Sequence, residues 1–144
     1  MYIEIESGHN PMQAALVITL VLHVFAIVFW AGSTFTLARF DGAGAETLFG
    51  PQMGAAVLAI VTGGVLWGQL HKGPFGPAEQ ILAAGALLGI VAAGVQGALV
   101  GAARRKIAAG MDTASLRVRM TLGNRIAAAL LAASLVAMTA VRFV

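Results

Sequence analysis

The chain predicts an all-α integral membrane protein, an antiparallel bundle of four transmembrane helices with both termini on the outer, periplasmic side. Three observations carry that expectation. The composition is 59% hydrophobic and only 10% charged over 144 residues, with a mean hydropathy of +0.88, far less charge than a soluble domain of this size carries. Four apolar stretches, each long enough for the roughly 20 residues a bilayer crossing needs, are separated by short polar turns. The basic residues also alternate in side. Arg39, Arg104, Arg105, Lys106, Arg117, Arg119 and Arg125 fall after stretches one and three, leaving Lys72 and Arg142 opposite, and seven of nine on one side places that side in the cytoplasm.

Taken in order, Asn10-Pro11 is a helix start, with Asn as N-cap and Pro in the first turn. Span one runs from about 12 to 38, and Arg39, Asp41, Gly42, Gly44 and Glu46 form the turn behind it. Pro51 opens span two, about 52–71, which ends in His71-Lys72. The following GPFGP is loop chemistry. Span three covers about 78–103 and is closed by Arg104-Arg105-Lys106, and span four covers about 122–142, with Asp112 available to cap an earlier start. The first ten residues, MYIEIESGHN, are acidic and lack the basic flank of a cleavable signal, so span one is expected to serve as its own insertion signal. The whole reads as a single transmembrane domain, 1–144, multi-pass in a bacterial inner membrane, with the lipid bilayer as its medium.

Several function classes drop out at once. Cysteine is absent, which removes disulfides and thiolate metal sites. The pI of about 10.2 reflects topology determinants flanking apolar spans and not a solvated basic face, so no nucleic-acid partner is expected. No phosphate-binding glycine loop, nucleophile–base constellation or intramembrane carboxylate pair is found; Glu79 and Asp112 sit at span ends.

Chemistry concentrates in TLVLHVFAIVFWAGSTFTLARF, Thr19 to Phe40. On a helix at about 100° per residue, Thr19, His23, Trp30 and Thr34 fall within about 60° of one another, bordered by Ile27. Polar atoms on one stripe of a lipid-embedded helix should face protein, since hydrocarbon offers no partners. Span three carries Gly85, Gly89, Ala93, Gly97 and Gly101 at four-residue spacing, which lets helix backbones approach, and Gln96 should face inward beside them. Span two adds Gly54, Gly63, Gly64 and Gly68. These glycines either pack helices or leave room for a flat cofactor.

His23 lies ~13 Å below the outer start of the apolar run at 1.5 Å per residue, at the depth of Thr62 to Gly64 on span two and of Leu88 and Gly89 on span three. His71 lies at the outer end of span two, so the two histidines are poor partners on one metal. Zinc needs several protein ligands, whereas a porphyrin supplies four nitrogens and needs one axial imidazole. Two readings of His23 stay open on these grounds: an axial ligand of heme iron, or a neutral imidazole donating to a carbonyl or threonine. In the first, Thr19 is a candidate to orient the second ring nitrogen, Trp30 is core or a wall of the site, and Gly64 and Gly89 line the macrocycle. Arg142 or Lys72 would neutralise its propionates. His71 remains a candidate metal ligand, also within a scattered His9, Met12, His71 and Met138 set whose imidazoles and thioethers suit copper(I).

The run LHVFAIVFWAGSTFTLARF resembles the first span of the HemJ-type membrane protoporphyrinogen oxidases and, more loosely, the copper-resistance D family. The match rests on His23, Trp30, Gly32, Phe35, Leu37, Arg39 and Phe40. Downstream, VTGGVLW with Gly63, Gly64 and Trp67 is similar to a Gly-Trp pattern in span two, and Asn124 and Arg142-Phe143 to features around the last span. The further histidine of HemJ-type span three is replaced by Gln96 and glycines. The resemblance implies a four-span bundle with b-type heme at His23 and an oxidoreductase acting on a porphyrinogen or quinol. The alternative is a non-catalytic accessory subunit of a larger membrane complex, or a copper-handling membrane protein, as a homo-oligomer or with partner subunits. For the topology, a reporter fused behind Val144 is expected to read as periplasmic, and a cytoplasmic signal from that fusion would contradict the charge count.

Overall fold

A computed structural model of the chain describes residues 10–41, 43–71 and 73–144. Its described residues form four long helices and no strand: α1 Pro11–Arg39, α2 Ala45–Leu70, α3 Pro77–Ala108 and α4 Thr113–Ala140. All four are long and apolar enough to cross a membrane. Residues 1–9, the acidic segment in which no cleavable signal is expected, with His9, lie outside the described residues, as do Gly42 and Lys72.

The helix ends follow local chemistry. The Asn10 side chain accepts the Met12 amide N–H at 3.1 Å, with Pro11 in the first turn. Pro77 opens α3 in the same way, and the Gly76 amide donates to Glu79 Oε2 at 2.9 Å. Asp112 caps α4 through the Ala114 amide at 3.3 Å, so that helix begins well before its apolar part at 122. Gly44 closes the first turn with φ of 81°, in the left-handed region that favours glycine.

Two boundaries differ from the sequence expectation. Helix α2 starts at Ala45 and keeps Pro51 inside it. Ala45 is fully buried in a cluster with Leu37, Val100, Ala103, Leu116 and Met120, and that packing holds the early turns despite the amide lost at proline. Helix α3 continues through the basic triplet to Ala108, and Gln96–Gly101 within it is π-helical.

Packing is uneven. α1 lies along α2, α3 along α4, and α1 also along α4, whereas α2 and α3 touch little. The interior is built largely from small side chains, among them Ala26, Ala31, Ala56, Ala59, Ala92 and Ala127, which bring backbones close. Large apolar residues such as Val17, Phe25, Val28, Val57, Val61 and Val136 face outward, the pattern expected where hydrocarbon is the solvent.

The four-residue glycine stripe of α3 does not act as one ridge. A Cβ at Gly85 would meet Met138 Cγ at 3.1 Å, and one at Gly101 would meet Phe49 Cζ at 2.7 Å, but one at Gly97 would meet nothing within 4 Å. The π turn changes the phase of the helix after Val95, so a stripe drawn at α-helical pitch loses its register there. On the facing helix, Gly123 takes the close approach, with Leu99 Cβ 2.9 Å from the position its own Cβ would hold. Gly123→Ala is therefore expected to destabilise the bundle by about 1–3 kcal/mol, while Gly97→Ala leaves it unchanged or slightly stabler; unfolding in detergent with increasing denaturant compares the two.

Candidate functional site

The polar stripe of α1 faces the bundle interior, and at mid-bundle it meets polar side chains from every other helix. Trp30 Nε1 donates to Gln96 Oε1 at 2.6 Å. Gln96 Nε2 donates to Thr34 Oγ1 at 3.0 Å and to Asn124 Oδ1 at 3.1 Å. Asn124 Nδ2 donates to the Met120 carbonyl at 3.1 Å, and Gln52 Nε2 donates to Ser33 and Thr34 hydroxyls at 3.1 and 3.2 Å. The Thr34 hydroxyl proton goes to the Trp30 carbonyl at 2.7 Å. Trp30, Thr34, Gln52, Gln96 and Asn124 are all buried, at 3% exposure or less. Gln96 opens the π turn, a distortion that recurs at functional sites. Only Gln52 Oε1 in this group is buried without a partner.

From Trp30 toward the chain termini the bundle opens into a half-enclosed cleft of about 450 Å³, a size within the range of ligand sites. Its floor is Trp30, Ala31, Ile27 and Leu131. One wall is α2, with Gly63, Gly64 and Trp67; the other is α3, with Leu82, Ala86 and Gly89, and α4 adds Ser134 and Met138. The cleft exists because α2 and α3 diverge. Its lips, Ile60 and Ile90, are exposed at 39% and 49%.

His23 borders this cleft, and its surroundings favour one tautomer. The Thr62 hydroxyl donates to the Leu58 carbonyl at 2.6 Å, with the Ala59 carbonyl at 3.2 Å. Its one proton is committed to its own helix. At 2.9 Å from His23 Nδ1, the Thr62 oxygen therefore accepts, Nδ1 carries the ring proton, and Nε2 keeps a free lone pair. Nε2 has no hydrogen-bond partner among the described residues and is not sealed from the cleft. A Cβ at Gly63 would stand 3.0 Å from His23 Cε1, so glycine there lets the ring lie against α2.

The sequence-derived candidates divide accordingly. His23, Trp30, Gly64, Gly89 and His71 all line one cleft. A Cβ at Gly64 would meet nothing within 4 Å, and one at Gly89 only Ser134 Oγ at 3.9 Å, so these two are wall positions and not packing points. Thr19 is not the partner of His23: its hydroxyl donates to the Ala15 carbonyl at 2.8 Å, a turn too early on α1, and Thr62 from the neighbouring helix takes that place. Arg142 is exposed in the 3₁₀ turn Val141–Phe143 and does not line the cleft. Lys72, its alternative, lies outside the described residues. Of the copper set, His71 and Met138 line the cleft, Met12 is exposed on α1 at 58%, and His9 is not described. Among the described residues no three His, Cys, Asp or Glu side chains gather as a metal site.

Gln52 was missed, although Gln52, Ala56, Ala59, Thr62 and Leu66, the buried face of α2, stand at helical spacing in the sequence. Fold and site together define a four-helix protein of membrane-spanning build with a histidine-bearing apolar cleft. No protein family, curated protein or solved structure was found to match the chain. Because the amide network ties all four helices together, breaking it should be felt throughout. Trp30→Phe, which leaves Gln96 Oε1 unpaired, is expected to lower stability by about 1–3 kcal/mol, and Gln96→Leu by more, both read from denaturant unfolding in detergent or bicelles.

Proposed function

We propose that the protein is a b-type heme-binding redox protein of the bacterial inner membrane, with His23 as axial ligand and both termini periplasmic. The observation that carries this reading is the His23–Thr62 pair: a half-buried imidazole between helices, its Nδ1 beside the Thr62 oxygen and its Nε2 on the side of an apolar cleft. Ligating histidines have this arrangement, with the second nitrogen donating to an oxygen that fixes ring and tautomer. A single imidazole suits a macrocycle that brings its own nitrogens, and it does not suit zinc, which needs more protein ligands.

The rest of the cleft fits such a group. Gly64 and Gly89 leave flat wall on opposite sides, and Trp30 and Leu131 close the floor against water. When bound, the heme supplies one-electron chemistry at its iron. The chain's own part is to hold the imidazole through Thr62, to shape and dry the site, and to admit reductants through the lips at Ile60 and Ile90. That opening faces the bilayer, so the substrate class is membrane-soluble, a porphyrinogen or a quinol.

The test is the absorption spectrum of purified protein, oxidised and reduced. Wild type is expected to show a b-type Soret band that His23→Ala lacks. Thr62→Val keeps the ligand but frees the ring, and is expected to weaken hemin affinity about 10-fold or more. A colourless wild type that also takes up no added hemin would overturn the proposal.

A further inference from the structure

His71 is the second imidazole on the same cleft, and its position differs in kind. It follows the last residue of α2, where its backbone N–H donates to the Trp67 carbonyl at 3.0 Å. Its ring stacks on Trp67, with centroids 4.8 Å apart and planes 24° from parallel. Trp67 is flanked in turn by Phe75, at 6.4 Å between centroids. The ring is thus held at the cleft mouth, at the end of the bundle that carries the chain termini.

Its two nitrogens are unequal. Nδ1 is buried and has no partner among the described residues. A ring proton on Nδ1 would be a buried donor with no acceptor beside it, whereas Nε2, which is not among the buried unpaired atoms, can offer its proton to a ligand. The cleft consequently has opposite polar chemistry at its two ends. His23 presents a lone pair at depth, and His71 presents an N–H at the mouth.

The spacing decides what one ligand can do with both. His23 packs on Gly63, and eight residues of rise along α2 separate Gly63 from His71, roughly 12 Å. A metal ion bound at about 2.0–2.1 Å from imidazole nitrogen cannot reach both rings. A flat apolar body carrying an acid on its edge can.

We infer that His71 is a binding residue for the carboxylate edge of the group that His23 ligates, donating through Nε2–H at the cleft mouth. The inference rests on the heme reading and assigns His71 a role as an anion contact, not a metal ligand. It also accounts for Arg142 lying off the cleft. The ligand class becomes an amphipathic macrocycle with free carboxylates, inserted acid end toward the termini.

Hemin and hemin dimethyl ester, which differ only in the carboxylates, separate the possibilities in equilibrium titrations of the detergent-purified full chain. Wild type is expected to bind hemin roughly ten-fold tighter than the diester, the scale of one hydrogen bond to a charged group. His71→Leu is expected to erase that preference while keeping the Soret position of the bound probe, because His23 still ligates. His71→Gln, which retains an N–H donor, should restore part of the preference. Equal binding of the two probes by wild type, or an undiminished preference in His71→Leu, overturns the role of His71 and leaves axial ligation standing. Failure of wild type to bind either probe overturns both.

Discussion

The bundle depends on one buried amide. Gln96 takes a proton from Trp30 on α1 and gives its own two to Thr34 on α1 and Asn124 on α4. Thr34 accepts a further proton from Gln52 on α2. In an interior that lacks water, each of these groups would be costly alone, and the donor–acceptor directions close without conflict except at Gln52 Oε1. The hydroxyl protons of Ser33 and Thr34 go back to α1 carbonyls, which forces both oxygens to accept. Such one-way networks specify a single arrangement of helices, because any slide of one helix strands a polar atom. No titratable side chain takes part, so the tie is independent of pH.

With the helices fixed at that level, the two halves of the bundle are free to differ. Toward the basic end, Leu37, Ala45, Val100, Ala103, Leu116 and Met120 form a dense cluster, and Gly101 and Gly123 admit Phe49 and Leu99 at contact distance. Toward the termini, α3 holds to α4 through Gly85, whose carbonyl accepts the Ser134 hydroxyl at 2.7 Å, while α2 holds to α1 through His23 and Thr62. Each pair is internally bonded, and among the described residues no side-chain hydrogen bond joins α2 to α3. The cleft is the space left between two satisfied pairs.

The four spans, their caps and the inward stripe of α1 were legible because they rest on local physics: apolar length, Asn-Pro and Asp cap chemistry, and the intolerance of hydrocarbon for unpaired polar atoms. What was lost depended on partners distant in sequence. The π turn at Gln96 has no local signature, and it upset the register of the glycine stripe beyond Val95. Pro51 looks like a helix start until Ala45 is seen packed at zero exposure. Thr19 and Thr62 were both available to His23, one by spacing along α1 and one by depth across the bundle, and only the packing of α1 on α2 decides between them. Arg142 satisfies a charge argument by height in the membrane, but height does not fix azimuth, and its helix turns it away from the cleft.

Trp30 links the two regimes. One face of its indole closes the cleft floor, and its N–H is locked at 2.6 Å to Gln96. An occupant pressing inward therefore meets a side chain that cannot yield without opening the buried network. The lips behave oppositely. Ile60, Gly64, Ala86 and Ile90 line the cleft yet are exposed, and separating or closing them breaks no hydrogen bond among the described residues. The opposite end is closed by the Leu37–Met120 cluster, so under the heme proposal a ligand enters sideways between α2 and α3, and His23 is shielded from the basic side.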